Sequence, residues 1–215
     1  MTKAKTLTSL IAVALLGAML LISGCSTDPK PSKSVEVASK GAHGGALSSD
    51  GKHAIIGSIN QGGSLWRLRD GERLYNWNHE KDEQTTIVTA DFSPDGKWAL
   101  TAEAHKMVLW DVETGQAQRF WTSPGEVLSV ALSNSTRSGI YALLGLADHT
   151  AVIFNVTQGR ISRTFNHQGR VRSVDLSDDL RYALTGSEDY SAVLWDIASG
   201  EALQRIQHED DVQLV

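Results

Sequence analysis

Histidine and cysteine are the side chains best suited to hold a metal or to carry acid–base chemistry, and this chain has seven histidines and one cysteine. The histidines are His43, His53, His79, His105, His149, His167 and His208. No two of them have the H-x-x-x-H spacing of a zinc site, and one cysteine excludes sites that need two or more thiolates. The sequence also lacks the G-x-S-x-G elbow and the glycine-rich phosphate-binding motifs. We therefore expect no metal, no cofactor and no catalytic site, and hence a protein that is not an enzyme.

Length and charge exclude several broad classes of protein. The chain has 215 residues, with 20 Lys+Arg, 25 Asp+Glu and a formal charge of −5. Its hydrophobic share of 41% and charged share of 21% are ordinary for a globular protein and argue against a disordered chain. An acidic chain lacks the basic surface that nucleic acids require, so we expect no nucleic-acid partner.

The first 24 residues have the features of an export signal. They contain no acidic residue, begin with Lys3 and Lys5, continue as an apolar run and end in Ser23-Gly24. Together with Cys25, this end resembles the lipobox of bacterial lipoproteins. The resemblance implies that residues 1–24 are a helical signal peptide and that Cys25 carries acyl chains such as palmitate. An uncleaved transmembrane anchor is the alternative, although the apolar run is short for one.

The same resemblance predicts where the protein resides. The residue after the cysteine is Ser26 rather than aspartate, which in lipoproteins of Gram-negative bacteria implies the outer membrane, here its periplasmic face. Several acyl chains anchor a protein stably. Residues 25–40 then form the lipidated cysteine and a flexible tether, because the stretch 26–34 contains two prolines and no large apolar residue.

The rest of the chain is built from repeats. Four segments that read like Ala-Leu-Thr-Gly and end in an aromatic residue align with a period of 41 to 44 residues. The aromatic residues that close the repeats are Trp66, Trp110, Phe154 and Trp195, each followed five residues later by glycine. Alternating apolar runs and Ser-Pro-Asp-Gly-type turns predict four short strands in each unit.

Units of this kind, with Trp110-Asp111 and Trp195-Asp196 at the closing positions, resemble the WD-repeat β-propeller. The resemblance implies an all-β fold of about four four-stranded blades within residues 41–215. We place the blades at about 41–78, 79–122, 123–166 and 167–207.

Residues 208–215 resemble the start of a further blade, because they align with residues 167–174. Propeller rings usually have four to eight blades. We therefore expect a truncated piece of a longer propeller that forms an open partial ring. A small closed ring and a ring completed by a second copy are the alternatives. Val35-Glu36-Val37 is either a strand that completes the last blade or a linker.

Many WD-repeat blades carry a hydrogen-bonded tetrad of His, Ser or Thr, Asp and Trp. By the resemblance, only the fourth repeat can form it, with His167, Ser187, Asp189 and Trp195. Such a tetrad pairs buried polar groups with one another and is structural rather than catalytic.

Loop residues near the C-terminal end are candidates for binding a partner. They are Glu188, Tyr190, Glu209, Asp210 and Asp211. Their charge is either solvated loop charge or a docking face for a basic partner. Trp77 and Trp121 either pack between blades or serve as interface anchors.

The sequence as a whole predicts a non-enzymatic protein-interaction scaffold of the cell envelope, anchored by lipid to the outer membrane. An envelope enzyme with a site in the central channel of a complete propeller is the first alternative. A ligand-binding or assembly-factor propeller is the second, since fold alone does not decide function.

Overall fold

The computed structural model describes residues 34–79, 85–134, 136–137 and 139–215. The signal segment, Cys25 and most of the tether lie outside these residues. The described strands are β1 (Ala42–Leu47), β2 (His53–Ser58), β3 (Gly62–Arg67), β4 (Glu72–Trp77), β5 (Thr89–Phe92), β6 (Trp98–Ala102), β7 (Lys106–Asp111), β8 (Ala117–Thr122), β9 (Val127–Leu132), β10 (Tyr141–Leu146), β11 (Thr150–Asn155), β12 (Arg160–Asn166), β13 (Val171–Leu176), β14 (Tyr182–Ser187), β15 (Ser191–Asp196) and β16 (Ala202–Gln207).

These strands form four antiparallel sheets, each of four strands in chain order: β1–β4, β5–β8, β9–β12 and β13–β16. The prediction of an all-β fold with four four-stranded units is confirmed. In the described part of the chain no helix is long and apolar enough to cross a membrane. Residues 34–38 form no strand.

Serine and aspartate side chains shape the turn between the first two strands of a sheet. In the second sheet the Ser93 hydroxyl donates to Asp95 Oδ1 at 2.7 Å and accepts from Trp98 N at 3.0 Å. Gly96 completes this turn with a φ of 68°, a conformation that glycine adopts without strain. Ser177, Asp179 and Tyr182 repeat the same bonds in the fourth sheet, so the turn sequence sets the hairpin.

Apolar side chains from facing sheets form the core between them. Trp77 stacks on Trp110 across the first and second sheets, with ring centroids 5.1 Å apart. Phe165 stacks on Trp195 across the third and fourth sheets, at 4.9 Å. Trp121 packs edge-on against Phe154 between the second and third sheets. Trp77 and Trp121 therefore both pack between sheets.

The first strands β1, β5, β9 and β13 contact one another in sequence, and the described sheets do not close into a ring. The exposure of one equivalent residue on the outermost strand of each sheet shows whether a neighbouring sheet covers that strand. Trp77 and Phe165, which pair with the third strands of their sheets, are 0% and 1% exposed. Ile206, at the same position of β16, is 49% exposed. The outer strand of the fourth sheet therefore lacks the cover that the others have.

Candidate functional site

A chain of hydrogen bonds runs through the interior of the fourth sheet. Trp195 Nε1 donates to Thr185 Oγ1 at 2.8 Å, and Thr185 Oγ1 lies 2.7 Å from His167 Nε2. His167 Nδ1 lies 2.9 Å from Asp189 Oδ2. Because the carboxylate only accepts, Nδ1 carries the proton, and Thr185 donates to Nε2. The indole N–H of Trp195, the hydroxyl of Thr185 and both ring nitrogens of His167 are therefore all hydrogen-bonded.

Thr185, not Ser187, supplies the hydroxyl of this network. Both residues lie on β14 and point to the same side of the sheet, because they are two positions apart. Ser187 is fully buried two residues further along, where it donates to Gly169 O at 3.0 Å and accepts from Asp189 N at 3.1 Å. It therefore fixes the loops on either side of the network instead of joining His167 to Trp195.

The second sheet carries a shorter chain of hydrogen bonds at the equivalent positions, which sequence reasoning missed. Trp110 Nε1 donates to Thr101 Oγ1 at 2.8 Å, and Thr101 Oγ1 lies 2.7 Å from His79 Nε2. His79 Nδ1 lies 2.9 Å from Glu103 Oε1, within ion-pair distance but without the alignment of a hydrogen bond. Glu103 follows the threonine by two residues, whereas aspartate follows Thr185 by four. Sequence reasoning missed Glu103 because it does not lie at the position of Asp189 in the repeat and because its side chain is longer.

The other two repeat-closing aromatic residues lack a histidine partner. Trp66 Nε1 donates to Ser64 Oγ at 2.7 Å, and the Arg73 guanidinium lies over the Trp66 ring at 5.0 Å from its centroid. Phe154 has no polar atom to satisfy, and Leu144 stands where Thr185 stands in the fourth sheet. Trp66 therefore bonds to a serine of its own strand instead of a threonine of the preceding strand, and Phe154 needs no hydrogen-bond partner.

Burial keeps the network histidines neutral. It lowers the pKa of His79 to about 4, and the positive charge of Lys106 acts in the same direction. Burial also lowers the pKa of His167, although the Asp189 carboxylate opposes it. Burial of Asp189 is outweighed by hydrogen bonds from Ser191, Gln168 and His167, which hold the pKa of Asp189 well below its usual range. Neutral, enclosed imidazoles are poorly placed to exchange protons with a ligand, and in His167 both ring nitrogens are also engaged.

Asp91 on β5 is a titratable group that sequence reasoning missed. Its carboxylate accepts from Leu132 N of the third sheet at 2.7 Å and from Phe92 N at 2.9 Å. Burial raises the pKa of Asp91 to about 6, helped by the negative charge of Asp175. Asp91 thus joins two sheets through a carboxyl group whose pKa is raised well above its usual value. No motif marks it, because the partner is a backbone N–H from another repeat.

The predicted partner-binding residues gather at one end of the fourth sheet. His208 N donates to Tyr190 O at 2.8 Å, and Val212 N donates to Ser187 O at 3.1 Å, so the two loops run side by side. Tyr190 is 48% exposed, and Glu209 and Asp210 are exposed as well. Asp211 is half-buried.

Arginine neutralises part of the negative charge at this end. Glu188 Oε1 accepts from Arg172 Nε at 2.7 Å. Arg205 lies 3.7 Å from Asp189 Oδ2. The acidic surface is therefore carried by Glu209, Asp210 and Asp211 rather than by Glu188.

Residues 212–215 lie on the fourth sheet as residues 171–174 lie on the third. Val174 N donates to Ser129 Oγ at 3.3 Å, and Val215 N donates to Ser173 Oγ at 3.0 Å. A Cβ built on Gly145 would lie 2.7 Å from Val171 O, and one built on Gly186 would lie 2.7 Å from Val212 Cγ1. Glycine at these positions of β10 and β14 permits the close approach.

Among the described residues no group of three or more His, Cys, Asp or Glu side chains could hold a metal ion.

Comparison with known families supports the repeat interpretation. Residues 159–196 match the family model described as WD domain, G-beta repeat. The matched segment includes β12 to β15 and the whole His167 network. No curated protein matches the chain. The match and the four antiparallel sheets together fit a WD-type β-propeller.

Proposed function

We propose that this protein is a non-enzymatic scaffold that binds protein partners through the loops at the end of its fourth sheet. The main support for the proposal is that the polar groups inside the fourth sheet bond to one another, whereas the loops at its end are exposed. Both nitrogens of His167 are engaged inside the sheet, while Tyr190, Glu209 and Asp210 stand exposed beside it. WD repeats generally mediate protein–protein interaction, which fits the matched segment.

The proposal includes a membrane tether. Acylation of Cys25 after removal of residues 1–24 would hold the sheets at the periplasmic face of the outer membrane. The supporting observation is the Ser23-Gly24-Cys25 sequence behind a basic start and an apolar run. More than one acyl chain gives the stable attachment that a scaffold requires.

Site-specific photocrosslinking tests the binding role. A photoreactive residue replaces Tyr190 in the full-length chain, in cells, and a matched control replaces Asp178, which is exposed at the opposite end of β14. We expect a discrete crosslinked protein from position 190 and none from position 178. Equal yields at the two positions, or none at either, would contradict the proposed surface. Turnover of a small substrate by the purified chain would contradict the non-enzymatic role.

A further inference from the structure

One position on the outer strands is used differently in the second sheet than in its neighbours. Tyr75 pairs with Leu65, Arg119 with Leu109 and Arg163 with Ile153, so the three residues occupy the same register position. Each of them faces the turn that follows the third strand of the next sheet. The contacts of these three residues can therefore be compared across the three interfaces between neighbouring sheets.

Two of these side chains are bonded to the neighbouring turn. Tyr75 Oη donates to Glu113 O at 2.8 Å, and its ring covers Gly115. Arg163 donates to Ala198 O and, at 3.3 Å, to Ser199 O. Glu113 and Ala198 are equivalent residues, each two positions after the last residue of its third strand. The interface between the first and second sheets and the interface between the third and fourth sheets are thus each closed by a side-chain bond to the equivalent backbone carbonyl.

Arg119 does not make this bond. The equivalent carbonyl belongs to Thr157, and Arg119 forms no hydrogen bond or ion pair with any described residue. The Trp121 indole approaches Gly159 instead: a Cβ built there would lie 2.9 Å from Trp121 Nε1. Arg119 remains exposed, and the interface between the second and third sheets stays open at its outer rim.

The open rim is a surface pocket of about 650 Å³. Its apolar side is formed by Trp98, Leu109 and Ile140, and its polar side by Arg119, Arg137 and Thr157. Arg137, like Arg119, is exposed and has no ion-pair partner among the described residues. No described acidic residue lines the pocket. It therefore combines two guanidinium groups that are unpaired among the described residues with the Trp98 ring.

We propose that this pocket, here called the Arg119 pocket, binds an acidic segment of a protein partner. Guanidinium groups bind carboxylates through two parallel N–H bonds, and the planar Trp98 ring suits an apolar or aromatic residue next to the acid. The net charge of −5 opposes the approach of a long polyanion such as nucleic acid, whereas a short acidic peptide meets only the local positive pair. The inference rests on the proposed scaffold function and names a second contact surface for it.

Fluorescence anisotropy tests the inference with the full-length chain in detergent. The probe is a fluorescein-labelled peptide of alternating glutamate and phenylalanine. Arg119→Gln and Arg137→Gln should each weaken binding about tenfold, as expected for the loss of one charged hydrogen-bonding group. Raising the salt concentration from 50 mM to 500 mM should weaken it further. Unchanged affinity in Arg119→Gln would overturn the proposal.

Arg163→Gln is the matched control, because Arg163 has the same position but is bonded to the next turn. It should leave the affinity for the peptide unchanged and lower the melting temperature, whereas Arg119→Gln should leave the melting temperature unchanged. Equal binding of a peptide with lysine in place of glutamate would overturn the proposal. Displacement of the peptide by glutarate at equal concentration would overturn it in favour of a small-acid site.

The two proposals fail separately. If the peptide does not bind but the crosslink at position 190 persists, the proposed role of the Arg119 pocket is overturned and the proposed scaffold function stands. Peptide binding with no crosslink at position 190 would support the pocket and overturn the loop surface of the fourth sheet.

Discussion

Thr185 Oγ1 accepts the indole N–H of Trp195 at 2.8 Å while lying 2.7 Å from His167. One hydroxyl therefore satisfies two large buried side chains from different parts of the sheet. The bond joins β14 to β15 and to the segment that enters β13. Buried polar groups cost most when one partner is removed, so this hydroxyl is a sensitive point of the fourth sheet.

Thr185→Val should destabilise the protein by about 3 kcal/mol, because it leaves Trp195 Nε1 and His167 Nε2 without a partner at unchanged side-chain volume. Thr185→Ser keeps the hydroxyl and should cost about 1 kcal/mol for the lost methyl group. Urea unfolding followed by tryptophan fluorescence measures both values. Equal losses for the two variants would show that the hydroxyl is not what the site requires. Thr101→Val should behave like Thr185→Val.

The sheets and their order were predictable from the sequence, because the spacing of Trp66, Trp110, Phe154 and Trp195 reports the repeat directly. The network members were harder to predict. Thr185 and Ser187 share a face of β14, so alternation cannot separate them, and only the distance to His167 does. Glu103 was not predicted, because its longer side chain approaches His79 from an earlier position in the repeat than the aspartate of the fourth sheet.

The Arg119 pocket could not be predicted at all. Arg119 and Arg163 are the same residue type at the same register position. Whether each arginine bonds to the next turn is decided by the packing of side chains from other strands, such as Trp121 against Gly159. The sequence pattern places a residue on a strand and a face of the sheet. It does not show whether Arg119 or Trp121 packs against the turn of the next sheet.

Asp91 should make stability depend on pH. Its folded pKa of about 6 lies above the unfolded value near 4, so the folded state binds more protons between these values. The contribution of Asp91 therefore increases stability as pH falls from above 6 to about 4. The difference in unfolding free energy between wild type and Asp91→Asn should change by about 3 kcal/mol between pH 4 and pH 7. Asp175→Asn should move the midpoint to lower pH, because it removes the negative charge that raises the pKa of Asp91. A pH-independent difference for Asp91→Asn would contradict this assignment.

The fourth sheet should tolerate change on its outer strand. Phe165→Ala should cost about 3–5 kcal/mol, because the ring is buried between sheets and stacks on Trp195. Ile206→Ala, at the equivalent position of β16, should cost less than about 1 kcal/mol, because the side chain is half exposed. Thermal unfolding of both variants measures the difference. Similar losses would mean that something covers β16.

Cys25→Ser should abolish lipid attachment. The variant should accumulate as an uncut precursor that incorporates no labelled palmitate, because it lacks the thiol that we propose to be acylated. Ser26→Ala keeps the thiol and is the control, which should be labelled normally. Membrane fractionation and palmitate labelling measure the result. Normal processing and labelling of Cys25→Ser would contradict the lipoprotein proposal.

The most direct test of the binding role combines the Tyr190 crosslink with charge reversal. Glu209→Lys, Asp210→Lys and Asp211→Lys are introduced together, and the yield of crosslinked partner is compared with that of the parent chain. All three residues lie outside the two buried networks, so the melting temperature should not change. We predict at least a tenfold loss of crosslinked partner at an unchanged melting temperature. An undiminished yield would contradict the claim that this end of the fourth sheet binds the partner.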